Sequence, residues 1–180
     1  MKPLLEVRHL SISFHTYRGL LEAVHAVSLT VHAGETVGIV GESGCGKSVT
    51  SQAVMKLLPQ RAAEYQSGEI LWEGRDILPL SERDMNGLRG RDMAMIFQAP
   101  MTSLNPVLTI GAQLCEGLAL YQKLSKNEQR EKALELLKAV GLTSPEKRLD
   151  QYPHQLSGGM RQRCLIAMAQ IGRASCRERV

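Results

Sequence analysis

These 180 residues contain no internal repeat, no low-complexity linker and no long uninterrupted apolar run. Without about 18 successive apolar residues there is no candidate membrane span, so any work at a membrane must go through partners. The first ten residues, MKPLLEVRHL, interrupt their apolar character with Glu6 and Arg8, which excludes a secretory signal. Cysteine is scarce. Cys45, Cys115, Cys164 and Cys176 show neither metal-ligand spacing nor a disulfide framework, so a reduced, intracellular setting is expected. Seven prolines and 22% charged residues are too ordinary a composition for wholesale disorder. Charge of one sign is short as well. The net charge is +4, but Arg173, Arg177, Arg179 and Glu178 sit together at the end, and without them 19 basic residues face 17 acidic ones. A surplus of +2 argues for neither a nucleic-acid nor an anionic-membrane partner.

What is present is a chain 43% hydrophobic, enough for one sizeable core and one domain. LLEVRHLSISF and AVHAVSLTV read as strands, with Ala33-Gly34 as a turn after them. ETVGIV and DMAMIF are short, almost wholly apolar runs, which suits strands buried on both faces. SGEILWEGRDI reads as strand, turn, strand around Glu73-Gly74, and SERDMNGLRG as a short helix opened by Ser81. From residue 98 the pattern turns helical. One helix is expected over 108–122 and another in SKNEQREKALELLKAVG, where Ser125 and Glu128 form a capping box and Gly141 a left-handed C-cap. The Lys and Arg of that stretch form its solvated face. The sum is an α/β chain with a helical insert.

Two glycine-rich segments carry the chemistry. Gly41-Glu42-Ser43-Gly44-Cys45-Gly46-Lys47-Ser48 fits G-x-x-x-x-G-K-[ST] between an expected strand and a helix stopped by Pro59. Its glycines let successive backbone N–H groups close around a polyphosphate, and the helix start adds its positive end. Lys47 would neutralise charge between the β- and γ-phosphates, and the Ser48 hydroxyl would bind Mg²⁺. Cys45 fills a free position of the motif and reads as a small filler, not a nucleophile. The second segment, Leu156-Ser157-Gly158-Gly159-Met160-Arg161-Gln162-Arg163, opens another helix with a hydroxyl and bare amides. By itself it is a weak signal, better explained by an ordinary N-cap.

Together, in this order and spacing, GESGCGKS, MIFQAP and LSGGMRQR resemble the Walker A loop, Q-loop and signature motif of the ATP-binding cassettes over residues 1 to about 169. IFQAPMTSLNP and YPHQLSGGMRQR are similar to the subgroup that powers bacterial dipeptide and oligopeptide importers, some of whose members move nickel, glutathione or other small solutes. The resemblance implies a P-loop NTPase with an N-terminal antiparallel β subdomain, a RecA-like core and a helical subdomain. It places the β subdomain and P-loop core in about 1–97, the Q-loop and helical subdomain in about 98–158 and the signature helix in 156–169. It also implies ATP and Mg²⁺ as cofactors. The expected nucleotide-binding set is Phe14, Gly41, Glu42, Ser43, Gly44, Cys45, Gly46, Lys47, Ser48, Val49, Gln98, Leu156, Ser157, Gly158, Gly159 and Met160. Within it Lys47 and Gln98 are the catalytic pair, and Ser48 and Gln98 the metal ligands. Phe14 aligns with the aromatic that stacks on adenine, with Tyr17 as runner-up and a strand-end core role as the plain alternative. Ala99 departs from the acidic residue usual after the glutamine, which bears on the detail of coupling.

The implied partners are a second ATPase subunit, identical or homologous, transmembrane permease subunits and, indirectly, a solute-binding protein, at the cytoplasmic face of the bacterial membrane. A soluble cassette acting on nucleic acid or ribosomes is the alternative; MTSLNP, the compact helical insert and the lack of a basic block favour the importer. LSGGMRQR speaks against a P-loop kinase. Hydrolysis also needs a carboxylate for Mg²⁺ and a group to orient water. The family draws both from a strand ending in Asp-Glu, expected near residue 180, and adds a later histidine. IGRASCRERV stands there instead and looks like a translated sequencing-library adapter. Residues 170–180 are therefore expected to be a non-native tail on a cassette truncated before the Walker B strand. A genuine basic, disordered terminus is the competing reading.

Overall fold

The computed structural model describes residues 2–97 and 103–172, which divide into two units, 1–86 and 87–180. The first unit is built on a four-stranded antiparallel sheet ordered β2-β1-β3-β4. β1 (Pro3–Thr16) and β2 (Gly19–His32) form a hairpin through Tyr17-Arg18. β3 (Ala63–Trp72) and β4 (Arg75–Asp76) form a second. Its turn holds Glu73 at φ 50 and Gly74 at φ 85, the two positive values a primed hairpin turn requires. Both strand expectations at the start therefore hold, and the strands run longer than their apolar cores.

The long hairpin is not regular. His9 and Ala26 both adopt φ 45 where the β1–β2 register shifts. Each bulged N–H finds a serine on the opposite strand: His9 donates to Ser28 Oγ at 2.9 Å and Ala26 to Ser11 Oγ at 2.9 Å. Gly68 on β3 lies against this bulge, and a Cβ there would meet the Arg8 carbonyl oxygen and the Leu10 Cα at 2.6 Å. The bulge bends β1 around the core residues Val7, Leu10, Ile12 and Ile70.

Beyond β2, Gly34 turns the chain at φ 79, and Glu35 accepts from the His32 N–H at 2.7 Å. That bond, with a second from the His32 ring, holds the Glu35 carboxyl below its ordinary range. The two runs expected as buried strands differ from that expectation. ETVGIV carries no ladder among the described residues, and Val40 is 96% exposed. Among the described residues DMAMIF contributes a single parallel bridge, Arg89 to Met93, and leaves Ile96 and Phe97 exposed. An apolar run forms a buried strand only where neighbours supply both the ladder and the covering faces.

α1 (Lys47–Val54) follows the glycine loop, and α2 (Glu82–Leu88) is opened by Ser81 as expected, its hydroxyl accepting from the Asp84 N–H at 3.2 Å. Among the described residues the second unit holds α3 (Ile110–Tyr121), α4 (Lys126–Ala139), α5 (Pro145–Leu149) and α6 (Gly158–Ala169), with a 3₁₀ turn at Pro153–Gln155. Their core gathers Leu114 and Leu118 of α3, Leu137 of α4, Leu149 of α5 and Cys164 of α6, all fully buried. The α4 capping box is formed, and Gly141 takes φ 73 at its C-terminus. Arg130 holds Asp150 through two bonds of 3.1 and 3.2 Å, and Arg163 donates to the Gly141 carbonyl at 2.7 Å. Ile171, set apart with the tail in the sequence, is 4% exposed and belongs to this core. No helix among the described residues is long and apolar enough to cross a membrane.

Candidate functional site

The loop between Gly41 and Ser48 is shaped by two glycines. Gly44 and Gly46 adopt φ 86 and 88, a region that L side chains enter only with strain. Gly46 is further confined by the sheet: a Cβ there would lie 2.6 Å from the Ala23 carbonyl oxygen and 3.3 Å from Val24 Cγ2. The loop is thus pressed onto β2, and only glycine fits at the contact. Directly behind it, buried Thr50 donates its N–H and its hydroxyl to the Gly46 carbonyl, at 2.8 and 3.0 Å. Thr50 was not among the expected site residues; its place one turn into α1 is the only signal the sequence offers.

The N-terminus of α1 differs from those of the other long helices. Thr109, Ser125 and Ser157 each cap their helix with a side-chain oxygen, whereas Gly46 supplies none. The first N–H groups of α1 have no intrahelical partner, and they sit at the positive end of the helix. Lys47 adds a full positive charge to this donor set. Its ammonium folds across the loop and donates to the carbonyls of Gly41 at 2.7 Å and Glu42 at 2.6 Å, with Cys45 Sγ at 3.3 Å. Ser48 is exposed, and its hydroxyl bonds to none of the described residues. Bare amides, an ammonium and a free hydroxyl fit a polyphosphate with an accompanying divalent cation. Gly41, Glu42, Cys45 and Lys47 are therefore joined in one cluster. Ser43 is exposed on the same loop, and Val49 is half-buried in the first turn of α1.

The second glycine segment belongs to the other unit. Ser157 is the N-cap of α6 and accepts from the Met160 N–H at 3.4 Å. Leu156 is buried beneath it at 3% exposure, and Met160 packs partly against the core. Gly158 and Gly159 are exposed, and a Cβ on either would meet nothing within 4 Å. Neither adopts a positive φ, so nothing in the chain's own fold requires glycine at these two positions. The approach to α6 is stiffened by Arg161, whose Nε donates to the Pro153 carbonyl at 2.7 Å.

Phe14, half-buried near the end of β1, pairs with Leu21 of β2 and Ala63 of β3. Tyr17 at the hairpin tip is exposed, with the Arg18 guanidinium 5.2 Å from its ring centre. Gln98 and Ala99 lie outside the described residues. No group of three or more metal-ligating side chains occurs among the described residues.

An uncapped helix start behind a lysine-bearing glycine loop defines a phosphate-binding loop of the P-loop class. The sequence matches the ABC transporter family over residues 24–176, and the chain belongs to that family. It is 54% identical to the oligopeptide transport ATP-binding protein OppD of Bacillus subtilis (strain 168), over 92% of this chain and 46% of that protein. It is 53% identical to the dipeptide transport ATP-binding protein DppD of the same organism, over 95% of this chain and 51% of that protein. The chain thus spans about half the length of these curated relatives. Its fold is that of an ABC cassette. It matches the dimeric structure of MJ0796, a bacterial ABC transporter cassette, with a TM-score of 0.83 at 26% identity, over 94% of this chain and 70% of that one. A post-hydrolysis dimer of the same cassette, bound to ADP and Pi, matches with a TM-score of 0.82 at 26% identity and the same coverage.

Proposed function

We propose that this chain is the nucleotide-holding part of an ATP-binding subunit that drives import of peptides, or of a related small solute, from the cytoplasmic face of a bacterial membrane. The observation that carries the reading is the missing side-chain cap at α1, where an ammonium and unpaired amides stand in its place. Peptide transport is the function named for both OppD and DppD.

In this reading Lys47 leaves the Gly41 and Glu42 carbonyls for the β- and γ-phosphates, while the amides from Gly44 to Ser48 surround the phosphate chain. The Ser48 hydroxyl and Gln98 would hold Mg²⁺, which screens the phosphate charge. Gln98 would also report the nucleotide state to permease subunits. Phe14 would stack on adenine, with Tyr17 as the second choice. Gly158 and Gly159, unneeded by the fold, leave bare backbone beside the Ser157 hydroxyl for the γ-phosphate held by a second cassette, so that two subunits share two ATP molecules.

Lys47→Ala tests the reading. It removes the only side-chain cation of the loop and should abolish tight ATP binding in a nucleotide titration; undiminished affinity rejects it. Gly159→Val should leave single-subunit ATP affinity unchanged while blocking ATP-dependent pairing of cassettes in sedimentation. Pairing that survives the added bulk would remove the role given to α6.

A further inference from the structure

The C-terminal end of α1 is closed by a Schellman motif: the Lys56 N–H donates to the Ala53 carbonyl and the Leu57 N–H to the Gln52 carbonyl, each at 2.9 Å. The residue in the left-handed position of this motif is normally glycine. α4 follows that rule, with Gly141 at φ 73 and bonds from the Gly141 N–H to the Lys138 carbonyl and from the Leu142 N–H to the Leu137 carbonyl. α1 does not. Lys56 occupies the position at φ 49, where its Cβ is strained.

Its side chain offsets that strain by a bridge. Lys56 Nζ donates to the Leu78 carbonyl at 2.8 Å and to the Leu80 carbonyl at 2.7 Å, both on the segment from β4 to α2. That segment is itself fixed. Ile77, fully buried, donates its N–H to the Ile70 carbonyl of β3 at 2.9 Å, and the Leu78 N–H is held by Asp76 Oδ1 at 3.1 Å. Lys56 also directly follows the C-cap of α1, where the helix dipole favours a positive charge. Tyr65 of β3 adds a second tie, its hydroxyl donating to the Ala53 carbonyl at 3.3 Å.

We propose that Lys56 is a positioning residue for the phosphate loop: its ammonium clamps the far end of α1 to the β4–α2 segment and so sets the direction in which the helix start presents its amides. An eight-residue helix has little stability of its own, and its axis is set by what holds its two ends. One end rests on β2 through Gly46, and the other is held by Lys56. The consequence for nucleotide binding rests on the function proposed above; the clamp itself does not.

Three variants separate a clamp from a poorly suited cap residue. Lys56→Gly relieves the backbone strain and removes the bridge, Lys56→Met keeps the strain and removes the bridge, and Lys56→Arg keeps a cation in reach. Amide hydrogen exchange of residues 47–54, measured on the full chain without nucleotide, should be at least about tenfold faster in the Gly and Met variants and be restored by Arg. Equal or slower exchange in Lys56→Gly overturns the clamp. ATP affinity, measured well below each unfolding midpoint, should weaken by about tenfold in the Gly and Met variants and recover with Arg. Faster exchange with unchanged affinity overturns the positioning role. If the parent chain binds no ATP, the proposed function falls, while the exchange measurement still decides the clamp.

Discussion

Gly44 and Gly46 share a positive φ and differ in surroundings, so substituting each with alanine isolates the contact between the phosphate loop and β2. At Gly44, φ 86 and nothing within 4 Å of an added Cβ leave only conformational strain, about 1–2 kcal/mol. Alanine recovers about 0.4–1 kcal/mol of that by restricting the unfolded chain, so Gly44→Ala should destabilise by about 1.6 kcal/mol at most. At Gly46 the same terms apply at φ 88, but the new methyl lands 2.6 Å from the Ala23 carbonyl oxygen. That oxygen cannot swing aside like a side-chain tip, because it belongs to a strand whose next residue, Val24, pairs with Ile12. Either β2 or the start of α1 must move, which adds about 1–3 kcal/mol. In urea unfolding at low protein concentration Gly46→Ala should therefore lie about 1–3 kcal/mol below Gly44→Ala. On heating, that is roughly 2–4 °C for each kcal/mol in a chain of this size. The displaced helix start should also cost Gly46→Ala its ATP affinity. Coincident unfolding curves for the two variants would refute the inference that the loop is seated on β2.

Three further outcomes follow from burial and charge. The exposed apolar side chains of Val37, Ile39, Val40, Ile96 and Phe97 should make the isolated 180-residue chain bind a hydrophobic dye and self-associate with rising concentration; a dye-silent monomer by light scattering counts against the unpaired runs. Burial pushes the Cys164 thiol up to about 11, whereas Cys45 is exposed beside the Lys47 ammonium. At pH 8 an alkylating reagent should therefore take Cys45 first, with ATP slowing it, and reach Cys164 only on unfolding; equal rates in mass spectrometry contradict this. Hydrogen bonds from Ser125 hold the Glu128 carboxyl below its ordinary 4.5. The capping box thus contributes fully above that value and fades as pH falls through the lower folded one. Glu128→Gln should flatten the acid limb of the stability curve, and an unchanged limb would assign it to other carboxylates.

How far the sequence could be read depended on the range of the interaction behind each feature. The α4 capping box, the Glu73-Gly74 turn and the Gly141 cap are decided within a few residues, so their residue types announce them. The phosphate loop is legible for the same reason: its glycines serve backbone angles, and the lysine serves a charge immediately beside them. ETVGIV and DMAMIF fail that condition. Their composition states what a strand needs on its faces, but the ladder must come from residues far along the chain, and none among those described supplies it. Lys56 is hidden for a related reason. Its backbone breaks the local preference for glycine, and the compensation lies more than twenty residues away in the carbonyls of Leu78 and Leu80, which no spacing rule connects to it. The signature glycines invert the problem. Gly158 and Gly159 satisfy no requirement of φ or packing within the chain, so the structure alone makes them look arbitrary. Only their order behind the phosphate loop in the sequence singles them out, and the role proposed for them, facing a phosphate held by a second cassette, lies outside the chain's own fold.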